Sequence, residues 1–361
     1  MATDFPLTRT TRPLPSPERA RVLESPGFGR HFTDHMATAT WTDGHGWHGH
    51  RVGPLEPFSL HPSAAVLHYA QEIFEGLKAY RHADGSVWLF RPEANARRFA
   101  RSARRLALPE LPEEDFLAGV EALVRADEPW VPVPRSEESL YVRPFMFASE
   151  AFLGVRPAAE VVFSVIAGPA GPYFANGLAG VTLWVSSTYS RAAEGGTGAA
   201  KCGGNYASGL AAQLEAREHG CDQVLYLDSA GGGFLEESGT MNLCLVTADG
   251  HLVTPPLGTI LEGVTRDTIL ALAPECGLVP QERPVTIDEL RAGAADGTVT
   301  EVFAAGTAAV VTPIVGFKGD GYAFTVGDGE PGKHTAALRS RVLDIQFGRA
   351  KDTHGWLHRV L

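Results

Sequence analysis

Glu194-Gly-Gly-Thr-Gly-Ala-Ala-Lys201-Cys-Gly-Gly-Asn-Tyr206 is built almost entirely of small side chains, with one long amine among them. A backbone so free of Cβ bulk can pack closely around a flat ligand. A lysine enclosed there loses hydration, its pKa falls, and its neutral amine becomes a nucleophile toward an aldehyde. The plainer reading is a flexible loop with one exposed lysine, and the loop alone does not choose between them. It does argue against a Walker-type phosphate loop, which needs Gly directly before Lys and Ser or Thr after it. Here Ala200 precedes Lys201 and Cys202 follows.

Outward from this loop the chain reads as two α+β domains. At 361 residues it is long for one core. Residues 1–25 are proline-rich and predict an extended arm. Residues 47–54 and 161–167 predict strands, and 76–80 pairs with 86–90 across Ala83-Asp84-Gly85. Helices are expected over 63–70, 92–106 and 112–126, the first with Ser63 near its cap. A Gly- and Pro-rich stretch without period places a linker at 173–181, after a smaller first domain over 1–172. The larger second domain, 182–361, carries the lysine. Within it 181–187, 223–227, 241–247, 251–254 and 298–304 read as strands. Residues 205–218 read as a helix by the spacing of Leu210, Ala211 and Leu214, and Glu262 leads into another ending near Leu272.

Composition narrows the function. A hydrophobic fraction of 44% and a charged fraction of 20% suit a soluble globular protein. A net charge of −11 argues against nucleic-acid partners. Arg97, Arg98, Arg101, Arg104 and Arg105 form a local exception, read mainly as a solvated basic face of which one member could serve a small anion. No apolar run resembles a secretory signal or reaches the ~20 residues of a membrane span. The widely spaced Cys202, Cys221, Cys244 and Cys276 give neither a zinc pattern nor a redox pair, so a reducing cytoplasm is expected. His45, His48 and His50 lack a partner ligand at metal spacing, and no metal is expected.

Three further segments suit a phosphorylated aldehyde cofactor. Gly263-Val264-Thr265 opens a helix whose free N–H groups favour a phosphate. Gly306-Thr307-Ala308 ends a strand with a hydroxyl and more amides. Glu237, if buried, could keep a pyridine nitrogen protonated; the alternative is an exposed acidic pair with Glu236.

Eight strings in order then resemble the branched-chain amino acid aminotransferases, of fold type IV among pyridoxal-phosphate enzymes. They are Phe28-Gly-Arg-His-Phe-Thr-Asp-His-Met36, Leu67-His-Tyr-Ala-Gln-Glu-Ile-Phe-Glu-Gly-Leu-Lys-Ala-Tyr80, Phe90-Arg-Pro-Glu-Ala-Asn-Ala-Arg-Arg98, Tyr141-Val-Arg-Pro144, Gly171-Pro-Tyr173, Lys201 through Tyr206, Glu237-Ser-Gly-Thr-Met-Asn242 and Glu301-Val-Phe-Ala-Ala-Gly-Thr-Ala308. The resemblance implies a two-domain fold like that of D-amino-acid aminotransferase, with pyridoxal 5'-phosphate between the domains. It makes Lys201 the cofactor-bearing lysine and proton carrier. Arg98, the amides of Val264 and Thr265, and the Thr307 hydroxyl would hold the phosphate. Tyr206 would bond the phenolic oxygen, and Glu237 the ring nitrogen. Phe28, Tyr69, Phe74, Tyr141, Tyr173 and Thr240 would form the side-chain pocket. Arg143 would meet the side-chain carboxylate of glutamate, and the Thr307–Ala308 backbone the α-carboxylate.

The implied activity moves an amino group between Leu, Ile or Val and 2-oxoglutarate, in a cytoplasmic homodimer. A D-amino-acid aminotransferase, an aminodeoxychorismate lyase, or a non-catalytic cofactor-binding protein are the other readings. Two departures stand out. Ala309 and Thr312 occupy the places of a Cys-x-x-Cys switch found in some members, and Glu262 stands where proline is frequent.

Overall fold

The computed structural model describes residues 3–173 and 178–361. The chain divides into two compact units. The first is Met1–Tyr173 with Ala200–Gly203 and Ile345–Leu361; the second is Phe174–Ala199 with Gly204–Asp344. The expected boundaries need correction. The first unit is the longer, it takes the Lys201 tetrapeptide, and it takes residues 345–361. The linker placed at 173–181 falls partly on 174–177, which lie outside the described residues.

The first unit begins with α1 (Ser16–Glu24), β1 (His35–Thr42) and β2 (Gly46–Pro54). Next come α2 (Ala65–Tyr69), β3 (Glu72–Phe74), β4 (Leu77–Arg81) and β5 (Val87–Phe90). Then follow α3 (Pro92–Arg105), α4 (Glu113–Ala126), β6 (Ser139–Ala148) and β7 (Glu160–Ala170). An antiparallel sheet runs β5-β4-β6-β7-β1-β2, with β3 beside β6 and the strand Leu357–Arg359 beside β5. α1 overturns the extended arm. Its prolines sit at the cap and first turn, where a missing N–H costs nothing.

Helix α3 decides where chemistry can sit. It buries Asn95, Ala96, Arg98, Phe99, Ser102 and Ala103, a single face at helical spacing. Of the five arginines only Arg98 points inward; Arg97, Arg101, Arg104 and Arg105 are exposed. Phe99 packs its ring 5.3 Å from Phe116 of α4 and 5.8 Å from Phe163 of β7. Truncating any of these three would cost about 3–5 kcal/mol. This core therefore holds Arg98 and Ser102 rigidly, four residues apart on one helix face.

The second unit runs β8 (Val181–Val185), α5 (Gly203–Ala207), α6 (Gly209–Glu218), β9 (Gln223–Leu227) and β10 (Leu235–Ser238). It continues with β11 (Met241–Thr247), β12 (His251–Thr254), α7 (Val264–Leu272), β13 (Val279–Glu282) and α8 (Ile287–Asp296). β14 (Val299–Gly306), β15 (Val310–Gly319), β16 (Tyr322–Thr325) and α9 (Lys333–Gln346) complete it. The sheet order is β10-β9-β8-β15-β14-β11-β12-β13, and β10 also pairs with β11. Six strands thus close on themselves, leaving no free edge among them.

The single helix expected over 205–218 is broken between α5 and α6. The leucines that suggested it face out, Leu210 at 65% and Leu214 at 58% exposure, while Ala212 and Ala216 are buried. No helix among the described residues is long and apolar enough to cross a membrane.

Candidate active site

In the first unit, Lys201 is clipped by its backbone. Its N–H donates to Ser102 Oγ at 3.0 Å, and its carbonyl accepts from the Phe74 N–H at 3.0 Å. The Gly203 N–H donates to the Glu72 carboxylate, and a Cβ on Gly203 would collide with that carboxylate. Lys201 Nζ lies 4.7 Å from the centre of the Phe74 ring. Burial, reinforced by the Arg98 charge and opposed by Glu75, lowers the amine pKa to about 8.

Arg98 is held from behind. Glu75 is fully buried between Phe74 and Gly76, and it accepts from Arg98 Nε at 2.7 Å and Nη2 at 2.8 Å. It also accepts from Asn95 Nδ2 at 2.7 Å. Burial pushes the Glu75 carboxyl up, but the adjacent guanidinium more than reverses this and leaves its pKa lowered.

Strand alternation sets the facing wall. Glu72 and Phe74 share one face of β3, while Ile73 enters the core. Tyr141 and Arg143, two apart on β6, lie near them. The Arg143 guanidinium stands 4.8 Å over the Phe74 ring and donates to the Tyr141 hydroxyl at 3.1 Å. Phe28 meets Tyr141 edge-on at 5.0 Å. Gly76 is required here, because a Cβ would overlap the Tyr141 hydroxyl. Burial raises the Glu72 pKa, against the Gly203 hydrogen bond and the Arg143 charge. The Tyr69 hydroxyl donates to the Leu153 carbonyl at 2.7 Å, and Tyr69 and Tyr173 are both exposed.

In the second unit, Glu237 is 1% exposed, which excludes the exposed acidic pair considered from the sequence; Glu236 is buried as well. Glu237 pairs with Arg191 and accepts from Asn242 Nδ2 at 2.9 Å and the Leu261 N–H at 3.2 Å. Arg191 is itself buried and donates to the Gly198 and Thr259 carbonyls. The two-residue turn Gly239-Thr240 joins β10 to β11, sets Glu237 opposite Asn242, and leaves Thr240 exposed.

Gly263 caps α7 with no side-chain partner for the helix amides, and a Cβ there would strike Asn242. Val264 and Thr265 are thus the first helical residues. Thr307 and Ala308 lie at the tip between β14 and β15, closed by the Gly306–Val310 pair. Val310 has φ +64°, rare for a β-branched residue and typical of ligand clamps. Tyr206 is half-buried on α5, whose Asn205 bonds Thr197 of the glycine-rich loop through both its oxygen and its amide.

Sequence reasoning passed over Glu72, Glu75, Ser102 and Arg191. Glu75 had a signal, a lone carboxylate inside the apolar run Ile73-Phe74-Glu75-Gly76-Leu77. Arg191 and Ser102 had none, since their partners are distant in sequence.

The family model for class IV aminotransferases matches residues 72–317, and the chain belongs to that family. A probable branched-chain-amino-acid aminotransferase of Streptomyces coelicolor is 54% identical over 98% of each chain. The branched-chain amino acid aminotransferase of Escherichia coli superposes with a TM-score of 0.74 at 30% identity, covering 90% of this chain and 100% of its own. The Thermobaculum terrenum enzyme, solved in its PLP form, gives 0.72 at 25% identity, covering 91% and 98%. The α+β architecture is that of fold type IV.

Proposed function

We infer that this chain is a branched-chain-amino-acid aminotransferase using pyridoxal 5'-phosphate. It moves the amino group reversibly between L-leucine, L-isoleucine or L-valine and 2-oxoglutarate, giving branched-chain 2-oxo acids and L-glutamate. The observation that carries this reading is Lys201, an amine lowered to about 8 and clipped by Ser102 and Phe74 beside the Arg98–Glu75 pair. Each unit carries donors that suit the cofactor. It offers an amine for the aldehyde, a buried carboxylate at Glu237, a cationic fork at Arg98, and an uncapped helix start at Gly263. When bound, the cofactor supplies an electrophilic carbon and a ring that accepts electron density.

Lys201 Nζ would then serve as base and acid, taking the proton from substrate Cα and delivering it to the cofactor's C4′. Arg98, the Val264 and Thr265 amides and the Thr307 hydroxyl would hold the phosphate. Tyr206 would hold the phenolic oxygen. Glu237, kept in place by Arg191, Asn242 and Leu261, would face the ring nitrogen. The buried Nε of Arg143 has no hydrogen-bond partner among the described residues, which suits the side-chain carboxylate of glutamate. The Thr307–Ala308 backbone would take the α-carboxylate. Phe28, Tyr69, Phe74, Tyr141, Tyr173 and Thr240 would line the pocket for branched side chains. We place the enzyme in the cytoplasm, as a homodimer.

The test is the visible absorbance of the cofactor-loaded protein during addition of L-leucine and then 2-oxoglutarate. Loss of the band with leucine and its return with the oxo acid establish both halves of a ping-pong cycle. A band that ignores leucine and responds to D-alanine would replace this reading with a D-amino-acid aminotransferase.

A further inference from the structure

A cavity of about 410 Å³ opens on the second unit beside β10, lined by Glu194, Asp228, Phe234, Glu236, Leu257 and Ile260 among others. Glu236 and Leu235 line this cavity while Glu237 does not. Glu236 is only 5% exposed, and its carboxylate accepts one bond, from the Thr259 hydroxyl at 2.5 Å. Its other oxygen, Oε2, is buried with no hydrogen-bond partner among the described residues. A buried acceptor without a donor is costly, so it marks a place where a donor belongs.

The lining fixes what kind of donor. Three carboxylates face the space, and no described lining residue is Lys, Arg or His. Asp228 already accepts from the Gly232 and Phe234 N–H groups at 3.0 and 2.7 Å. Amino-acid and oxo-acid carboxylates would be repelled, so this is not a second substrate pocket. Among the described residues no three His, Cys, Asp or Glu side chains are grouped to hold a metal ion. Phe234 and Leu257, 41% and 44% exposed, supply an apolar rim. The volume is that of a small-molecule pocket. Burial holds the Glu236 carboxyl above its ordinary pKa, over the opposing Thr259 bond and Arg191 charge, and the Asp228 charge adds to the rise. A cation would relieve both burial and repulsion.

We propose that this cavity binds a small organic cation, an ammonium group on an apolar body, with Glu236 Oε2 accepting its N–H. The occupant would touch the loop that frames Glu237. Thr259 bonds Glu236 through its hydroxyl and Arg191 through its carbonyl, and Leu261 bonds Glu237. The proposal does not depend on which amino acid the enzyme transaminates.

The experiment is calorimetric titration of the cofactor-loaded protein with N,N-dimethylbenzylamine at neutral pH. This tertiary amine is protonated there and cannot condense with an aldehyde. Saturable binding is expected, with a dissociation constant on the order of millimolar for a ligand of this size. Glu236→Gln should weaken it about tenfold or more, as expected for one charge-assisted hydrogen bond. Leu257→Arg, at an exposed rim position, should abolish it by placing a cation in the cavity while leaving transamination unchanged. The second variant decides the matter if the first fails to fold. Absence of saturable binding to the wild type, equal binding of neutral benzyl alcohol, or binding unchanged in Leu257→Arg would overturn the proposal.

Discussion

Replacing Glu75 by Gln removes one charge and almost no volume from the centre of the first unit. Glu75 has no exposure, and Arg98 has 3%. The substitution leaves the guanidinium buried without its counter-charge and turns an amide NH2 toward its donors. Breaking a buried pair in this way costs about 3–5 kcal/mol. That is a fifth or more of a typical total stability of about 5–15 kcal/mol. If Arg98 holds the cofactor's phosphate, the loaded variant regains part of this loss, because the phosphate supplies the missing negative charge. One charged hydrogen bond is worth roughly 1.5–3 kcal/mol. The assay is urea unfolding of wild type and Glu75→Gln, each with and without cofactor, followed through fluorescence that includes Trp130 of the first-unit core. The expected pattern is a loss of several kcal/mol without cofactor and a loss at least ~1.5 kcal/mol smaller with it. A loss below about 1 kcal/mol without cofactor would refute the buried-pair argument. Equal losses in both states would refute Arg98 as the phosphate ligand.

Cofactor uptake by cofactor-free protein should accelerate as pH rises and level off above about 8, because only the neutral Lys201 amine is a nucleophile; a flat profile would remove Lys201 from the chemistry. In Glu75→Gln the step should move lower, since Glu75 is what supports the charged amine. Arg143→Gln should raise KM for 2-oxoglutarate about tenfold or more and spare the leucine half-reaction; equal effects on both would mean Arg143 does not read the side-chain carboxylate. Arg191→Gln should lower kcat by about two orders of magnitude by misplacing Glu237, and an unchanged kcat would make that ion pair dispensable. His358 bonds Glu93 at 3.0 Å and Glu121 at 2.8 Å, chiefly through Glu121 raising its pKa to about 9. A raised folded-state pKa gives stability that is full below about 6.5 and lost as pH rises through about 9. The size is roughly 1–2 kcal/mol after discounting for exposure of Glu93. Wild type should lose this between pH 6 and 10 while His358→Ala loses none; parallel curves would exclude the switch.

Sequence legibility followed the range of the interactions involved. Hairpin β4–β5, helices α3 and α4, and the β11–β12 pair across Asp249-Gly250 were readable because capping prolines, turn glycines and periodicity are local signals. Strand β1 was passed over although Ala37-Thr-Ala-Thr-Trp-Thr42 alternates, because alanine is a weak strand former and gives little apolar contrast to threonine. On α6 Leu210 and Leu214 point outward while Ala212 and Ala216 point inward, because small side chains suit a close approach and the sequence does not say which face is approached. Lys201 and Glu237 were legible through the motifs around them. Glu75 stood out only as a charge in an apolar run, because its partner Arg98 lies 23 positions away, and nothing local ties Arg191 to Glu237, 46 positions away.

The pairing of the strand Leu357–Arg359 with β5 has a consequence for how the chain is made. Residues 1–173 leave the ribosome first, yet the unit they belong to lacks an edge strand and the lysine clip until much later. Domains ordinarily fold in the order of synthesis, and closing such long loops is slow. Here the segment 204–344 emerges whole before the earlier unit can be finished. A nascent chain stalled before residue 345 therefore carries Lys201 in a unit that still lacks its Leu357–Arg359 edge strand.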